Sequence, residues 1–249
     1  MERLEKLIAY LAPDLDLPQT QEEQEWVLRA LMNIWEPKVM PAEFWSLQDA
    51  YLQETLAQKR VTGLSDLQEV EPQIYLWQGD ITSLEVDAIV NAANSQLLGC
   101  FVPHHRCIDN AIHSQAGLQL RLACYQLMKA QGHLEATGQA KITPAYNLPA
   151  NYVIHTVGPI IQTEVRLQDE ELLASSYQKS LELAVEKGLT SIAFCCISTG
   201  EFHFPQKRAA EIAVRTVRNF ITEHSEINVI FNVFKDEDRE IYQELLGVR

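Results

Sequence analysis

The sequence predicts an α/β fold, a mixed and largely parallel sheet sandwiched by helices, with a small helical extension at the N-terminus. From residue 74 onward, short β-branched or apolar runs alternate with long segments of helical periodicity, the pattern left by crossover connections between parallel strands. Before residue 60 every apolar stripe has helical spacing, and prolines separate one stripe from the next. The length of 249 residues and a hydrophobic content of 47% allow one large domain with an appendage.

Leu4, Leu7, Ile8 and Leu11 share one face of a first helix over residues 2–11, which the polar stretch around Pro13 and Pro18 ends. Thr20 and Glu23 have capping-box spacing ahead of a second helix that runs through Trp26, Leu31 and Trp35 and is closed by Pro37. Pro41 suits the first turn of a third helix, with Phe44, Leu47, Tyr51, Leu52 and Leu56 as its buried stripe. These helices make an extension, residues 1–70, whose role is packing against the main domain or docking a protein substrate. The stretch 62–73 has little periodicity and marks the boundary, so the main domain is placed at 73–249. Strands are expected at 74–77, 86–90, around Ile142, at 152–155, 192–196 and 229–231. Helices are expected at about 107–131, 170–186 and 206–224, with a last one through Tyr242.

Thirty-four acidic against twenty basic residues give a net charge of −14, which excludes extended nucleic acid as a partner. A small phosphate-bearing ligand remains possible, because backbone N–H groups at a loop or helix start bind a pyrophosphate without a basic patch. Five cysteines, with Cys195 and Cys196 adjacent, do not form a disulfide framework. No signal segment or membrane-length apolar run is present, and a cytoplasmic, reducing location is expected.

The most unusual chemistry lies in residues 91–113. Cys100, His104, His105 and Cys107 fall within eight residues, bounded by Asn91 and Asn94 upstream and by Asp109 and His113 downstream. Thiolate and imidazole are the donors zinc favours, and Cys100-x4-His105-x-Cys107 supplies three of them without an obvious fourth. Three protein ligands leave a coordination position for water or substrate, whereas a structural site closes with four. Chemistry alone does not separate His104 from His105, and an isolated motif of this kind is also met by two thiols and two loop histidines that bind nothing. Asp109 and His113, at i and i+4, share one helical face. Ser198-Thr199-Gly200 offers backbone donors and a residue that lets a ligand approach closely, directly before a helix start; taken alone the triplet is a turn. Cys124, Cys195 and Cys196 read as small core residues, His155 as a hydrogen-bonded core histidine, and His203 as a loop residue.

Several ordered blocks resemble the macrodomain family: Gly79 to Thr82, Val86 to Asn94, Cys107 to His113, Lys141 to Pro149, Tyr152 to Pro159 and Ile197 to Pro205. They span about residues 73 to 249 and imply the family's three-layer α/β/α sandwich. Where macrodomains usually carry a glycine run, this chain has Gly99 followed by the Cys/His segment. That replacement, with the helical extension, resembles the zinc-containing macrodomains of microbes, which are associated with sirtuin-type ADP-ribosyltransferases and lipoyl-carrier proteins.

The resemblance implies a hydrolase that removes mono-ADP-ribose from a modified protein side chain, with one zinc ion per chain on Cys100, His105 and Cys107. It implies that Asp80, Ile81 and Phe202 hold the adenosine end, Ser198, Thr199, Gly200 and Glu201 the diphosphate, and Asn94 the distal ribose. Asp109 is the candidate for positioning the attacking water. Asp80 read without the resemblance is a turn cap. The implied partners are ADP-ribose and an ADP-ribosylated protein, with a sirtuin-modified lipoyl-carrier protein as the specific substrate; neither nucleic acid nor membrane is implied. Two other functions fit the same residues: a reader that binds ADP-ribosylated protein without cleaving it, and a hydrolase of a free metabolite such as O-acetyl-ADP-ribose.

Overall fold

A computed structural model describes residues 2–248. In chain order the helices are α1 (Glu2–Leu11), α2 (Gln21–Ile34), α3 (Ala42–Ala57), α4 (Ile108–Ala116), α5 (Leu118–Gln131), α6 (Leu167–Glu186), α7 (Gln206–Ile221) and α8 (Asp236–Leu246). The strands are β1 (Thr62–Gly63), β2 (Glu69–Glu71), β3 (Ile74–Gln78), β4 (Leu84–Glu85), β5 (Ala88–Ala92), β6 (Ala140–Pro144), β7 (Tyr152–Thr156), β8 (Ser191–Phe194) and β9 (Asn228–Val233). Seven of them form one sheet in the order β2-β3-β9-β8-β5-β7-β6. The five inner strands are parallel, and β2 and β6 run antiparallel at the two edges.

All four residues of β8 and the first four of β5 are buried, which follows from helices covering both faces of a parallel sheet. Their register places Val90 between Ile154 of β7 and Phe194 of β8. Helices α6, α7 and α8 pack on one another as one layer, and α4 and α5 belong to the other, giving the expected three-layer arrangement. The parallel register brings the carboxyl ends of β3, β9, β8, β5 and β7 to one edge, where ligand sites of such sheets form.

The N-terminal helices have a core of their own. Leu4, Leu7, Ile8 and Leu11 are buried with Leu28, Met32, Phe44 and Leu52, and Leu118 of α5 completes the cluster. Thr20 and Glu23 make both bonds of the capping box that starts α2. Two details differ from the sequence reading. Trp26 points outward, 62% exposed, and in α3 Gln48 is fully buried alongside Phe44, its side chain accepting from the Leu118 N–H at 3.0 Å. A buried amide reads as surface until its partner on another element is known.

The expected boundary stretch 62–73 is structured. β1 pairs with β4, and β2 extends the main sheet, so the sheet begins at Glu69, ahead of residue 73. The helix expected over 107–131 is two helices. Gly117 breaks it at φ 96°, a conformation that excludes most side chains, and a Cβ there would press on the Gln48 and Gln119 side chains.

Candidate functional site

At the carboxyl edge of the sheet a cavity of about 340 Å³, within the range of small-molecule pockets, is lined by several converging loops. Gly79, Asp80 and Ile81 follow β3, Ser198 to Phe202 follow β8, Phe234 and Lys235 follow β9, and Arg106, Cys107 and Ile108 precede and open α4. The N-termini of α4 and α7 both open near this edge, so unpaired backbone N–H groups favour an anion here.

Ser198 sits at φ 65°, and its buried hydroxyl has no hydrogen-bond partner. The loop is closed by the Phe204 N–H donating to Ser198 O at 2.9 Å and by the Thr199 hydroxyl donating to Cys196 O at 3.0 Å. Gly158 lies against it, and a Cβ at that position would overlap the Ser198 hydroxyl. Gly200 has an ordinary backbone angle and nothing within 4 Å of its Cβ direction, so its smallness leaves room in the cavity.

Asp80 does two things. It caps the turn Ile81–Ser83 by accepting from the Thr82 N–H at 3.0 Å and the Thr82 hydroxyl at 2.6 Å, and it lines the cavity. Its second oxygen accepts from Lys59 Nζ at 3.0 Å. Burial raises its pKa, but the bonds from Thr82 and then Lys59 outweigh that, and the carboxyl is held below its ordinary value. Phe202 is half-buried at the cavity wall, and Phe234, 76% exposed, stands at the rim. Lys59 and Phe234 escape a sequence reading. Lys59 looks like solvated charge at a helix end, whereas Phe234 had one usable signal, its place directly after the last strand of a parallel sheet.

The loop between Gly99 and Cys107 brings Cys100, His105 and Cys107 together, their donor atoms all within 4.8 Å of one another. Cys100 Sγ lies 3.5 Å from His105 Nδ1. Tetrahedral zinc with bonds of about 2.3 Å to sulfur and 2.0–2.1 Å to nitrogen requires donor separations of roughly 3.5–3.8 Å, and the Cys100–His105 separation has that length. Burial first, against the bond from the Asn110 N–H, and then the neighbouring Cys100 push the Cys107 thiol up to about 12. Cys107 is also the N-cap of α4, accepting from the Asn110 N–H at 3.4 Å. His105 Nε2 faces Glu201 Oε1 at 3.7 Å, which ties this loop to the loop after β8. His104 turns away and stacks on Trp26 at 3.4 Å, so among the two histidines only His105 joins the cysteines.

Asn94 donates to Gly99 O at 3.1 Å and to Asp109 Oδ2 at 3.4 Å and accepts from the Gln96 N–H at 3.0 Å, so it holds the base of the loop between Gly99 and Cys107. Asp109 is 6% exposed and accepts from Asn91 Nδ2 at 2.8 Å. Burial raises its pKa to about 6 against the opposing Asn91 bond. Neither Asn94 nor Asp109 lines the cavity, whose wall on this side is Ile108 and Ala111. Direct water positioning by Asp109 does not follow from this placement; its two oxygens accept from the Asn91 and Asn94 amides. His113 lies beneath with Asp109 Oδ1 at 3.5 Å from its Nε2, so the pair faces inward. His155 is fully buried and bonds to Thr143 at 2.9 Å and to Asn91 at 3.2 Å. Cys124 and Cys195 are buried, whereas Cys196 is partly exposed on the cavity floor.

The sequence profile of the Macro domain matches residues 90–213. The chain is 50% identical over 257 residues to a protein-ADP-ribose hydrolase of Treponema medium, covering 99% of this chain and 98% of that one. It is 48% identical over 186 residues, 70% of this chain and 31% of the other, to a probable bifunctional ADP-ribose hydrolase/ADP-ribosyltransferase of Fusarium oxysporum f. sp. cubense. Among solved structures, the Trypanosoma brucei macrodomain in complex with ADP-ribose superposes with a TM-score of 0.69 at 30% identity, covering 84% of this chain and 92% of that one.

Proposed function

This chain belongs to the macrodomain family, and on that premise we propose that it is a zinc-containing hydrolase that removes mono-ADP-ribose from a modified protein side chain. The observation that carries the reading is the position of Cys107: one donor of the Cys100, His105, Cys107 set is itself part of the cavity wall, across from the loop Ser198 to Phe202. Relatives named for protein-ADP-ribose hydrolysis, at 50% identity over nearly the whole chain, support the activity. The cavity's chemistry supports the ligand. Backbone donors of the Ser198 to Phe202 loop suit the diphosphate, while Asp80, Ile81 and the rings of Phe202 and Phe234 suit the adenosine end.

The distal ribose then lies toward the Cys107 side. Asn94 is the candidate to hold it, with Asp109 fixing the Asn94 and Asn91 amides from below. Bound on the three donors, zinc supplies a positive centre that orients or polarises an oxygen, and two thiolates temper its Lewis acidity. Water is split across the bond between ribose and side chain, its hydroxyl going to one fragment and its proton to the other. Among the described residues no helix is long and apolar enough to cross a membrane, and a cytoplasmic location, where Cys100 and Cys107 stay reduced, is part of the proposal. A lipoyl-carrier protein modified by a sirtuin-type transferase is the proposed substrate; the fusion-like name of the fungal relative supports a functional link to ADP-ribosyl transfer.

Mass spectrometry of a mono-ADP-ribosylated protein incubated with the zinc-loaded chain tests the reading. Release of ADP-ribose is expected, and Cys107→Ser should slow it by on the order of a hundredfold while leaving most ADP-ribose affinity, the pattern of a lost preorganised group. Tight binding of the modified protein without release would make this chain a reader, and full activity in the metal-free protein would make the zinc structural.

A further inference from the structure

We propose that α2 of the N-terminal extension belongs to the metal centre: Trp26 and Asn33 are positioning residues that hold His104 and thereby set His105 between Cys100 and Cys107. The inference rests on the zinc reading above. His104 sits at φ 55°, a backbone state that a residue with a side chain seldom keeps unless its surroundings impose it. Its conformation directs the next residue, His105. Within the loop itself there is little to impose it, one backbone bond from the His105 N–H to Val102 O at 3.2 Å.

The constraint comes from α2. The Trp26 ring lies flat on the His104 imidazole, centroids 3.4 Å apart and planes 10° from parallel. Asn33, 2% exposed, accepts from the His104 N–H at 3.0 Å and donates to Ser114 Oγ on α4 at 2.9 Å. The flanking donors are tied to the same helix. Arg29 of α2 donates to Asn110 Oδ1 at 3.3 Å, in the first turn of the helix that Cys107 caps. Arg121 donates at once to Met32 O at the end of α2 and to Leu98 O just ahead of Cys100, at 3.0 and 2.8 Å. Each of the three donors therefore has a short path of contacts to α2. A ligand set in one flexible loop loses affinity to loop entropy, and outer contacts that fix its geometry recover it.

Trp26 is exposed enough that its replacement leaves the core intact, which makes it the better test. In the full-length chain, zinc affinity is read by competition with a chromophoric chelator, and ADP-ribose affinity by calorimetry. Trp26→Ala and Asn33→Ala should each weaken zinc by about tenfold or more, as loss of an outer contact does. ADP-ribose affinity should change by less than about threefold, because most of its contacts lie elsewhere in the cavity. Trp26→Phe, which keeps an aromatic face for His104, should return zinc affinity toward wild type. Equal zinc affinity in wild type, Trp26→Ala and Asn33→Ala would overturn this proposal alone. A wild-type chain that takes up no zinc would overturn the metal reading and this proposal with it.

Discussion

A methyl group added at residue 158 would overlap the Ser198 hydroxyl and press on Ile197, whereas one added at residue 200 would meet nothing within 4 Å. The two glycines at the Ser198 loop thus have different physical reasons for their size. Gly158→Ala should destabilise the fold by about 1–3 kcal/mol, the range for overpacking a filled site, and should displace the Ser198 loop. Gly200→Val should leave the unfolding midpoint in place and still lower ADP-ribose affinity by about tenfold or more, a loss near 1.4 kcal/mol from the ligand's own space. Chemical denaturation and calorimetry on the two variants check this. An unchanged ADP-ribose affinity in folded Gly200→Val would remove the diphosphate from that loop.

Between elements, a central polar group is Arg121 of α5, 2% exposed, whose guanidinium donates to the carbonyls of Met32, Trp35 and Leu98. It closes the C-terminal end of α2, where carbonyls lack helical partners, and it lies 4.3 Å over the Phe101 ring. Arg121→Met keeps the volume and removes every donor, so the Trp35 and Leu98 carbonyls lose this partner while Met32 O keeps the Trp35 N–H. Each carbonyl left unpaired costs about 1–3 kcal/mol, so a loss of at least about 2 kcal/mol is expected in urea unfolding. Faster hydrogen exchange should appear in α2 and in residues 98–107 together. Exchange rising in only one of them would show that the extension and the loop are not joined through this side chain. The break between α4 and α5 serves the same junction, since Gly117 lets Leu118 turn into the core of the extension.

On the scale of the whole molecule, acid is the expected weakness. His155 is fully buried and desolvation lowers its pKa to about 3, and His113 is lowered well below its ordinary value by burial and then by His155. Both stay neutral in the fold and take a proton on unfolding. Their stabilisation is therefore complete above about pH 6.5 and declines below it, by about 1.4 kcal/mol per pH unit for each imidazole. Asp109, facing His113 with its pKa raised to about 6 by burial, has the opposite sign and offsets roughly one histidine below that pH. Arg121 and Cys124, the other ionisable groups around them, stay in their usual protonation states throughout this range. Thermal unfolding should accordingly fall from pH 7 to pH 5, with a shallower slope in His155→Gln; equal slopes would assign the acid sensitivity to other groups.

By itself the sequence determined the alternation of strands and helices and the capping box of α2, because apolar periodicity and cap spacing act within a few residues. It also brought two cysteines and a histidine within reach of one ion, since so short a loop holds its side chains close. Residue chemistry alone left two histidines open and the resemblance picked His105; the fold supplies the physical reason, since Trp26 and Asn33, far away along the chain, hold His104 apart from the cysteines. Only the tertiary structure decided the place of Lys59 against Asp80, of Phe234 at the cavity rim and of Asp109 behind the wall. Periodicity records whether a side chain is covered, but the identity of what covers it is fixed when separate elements dock.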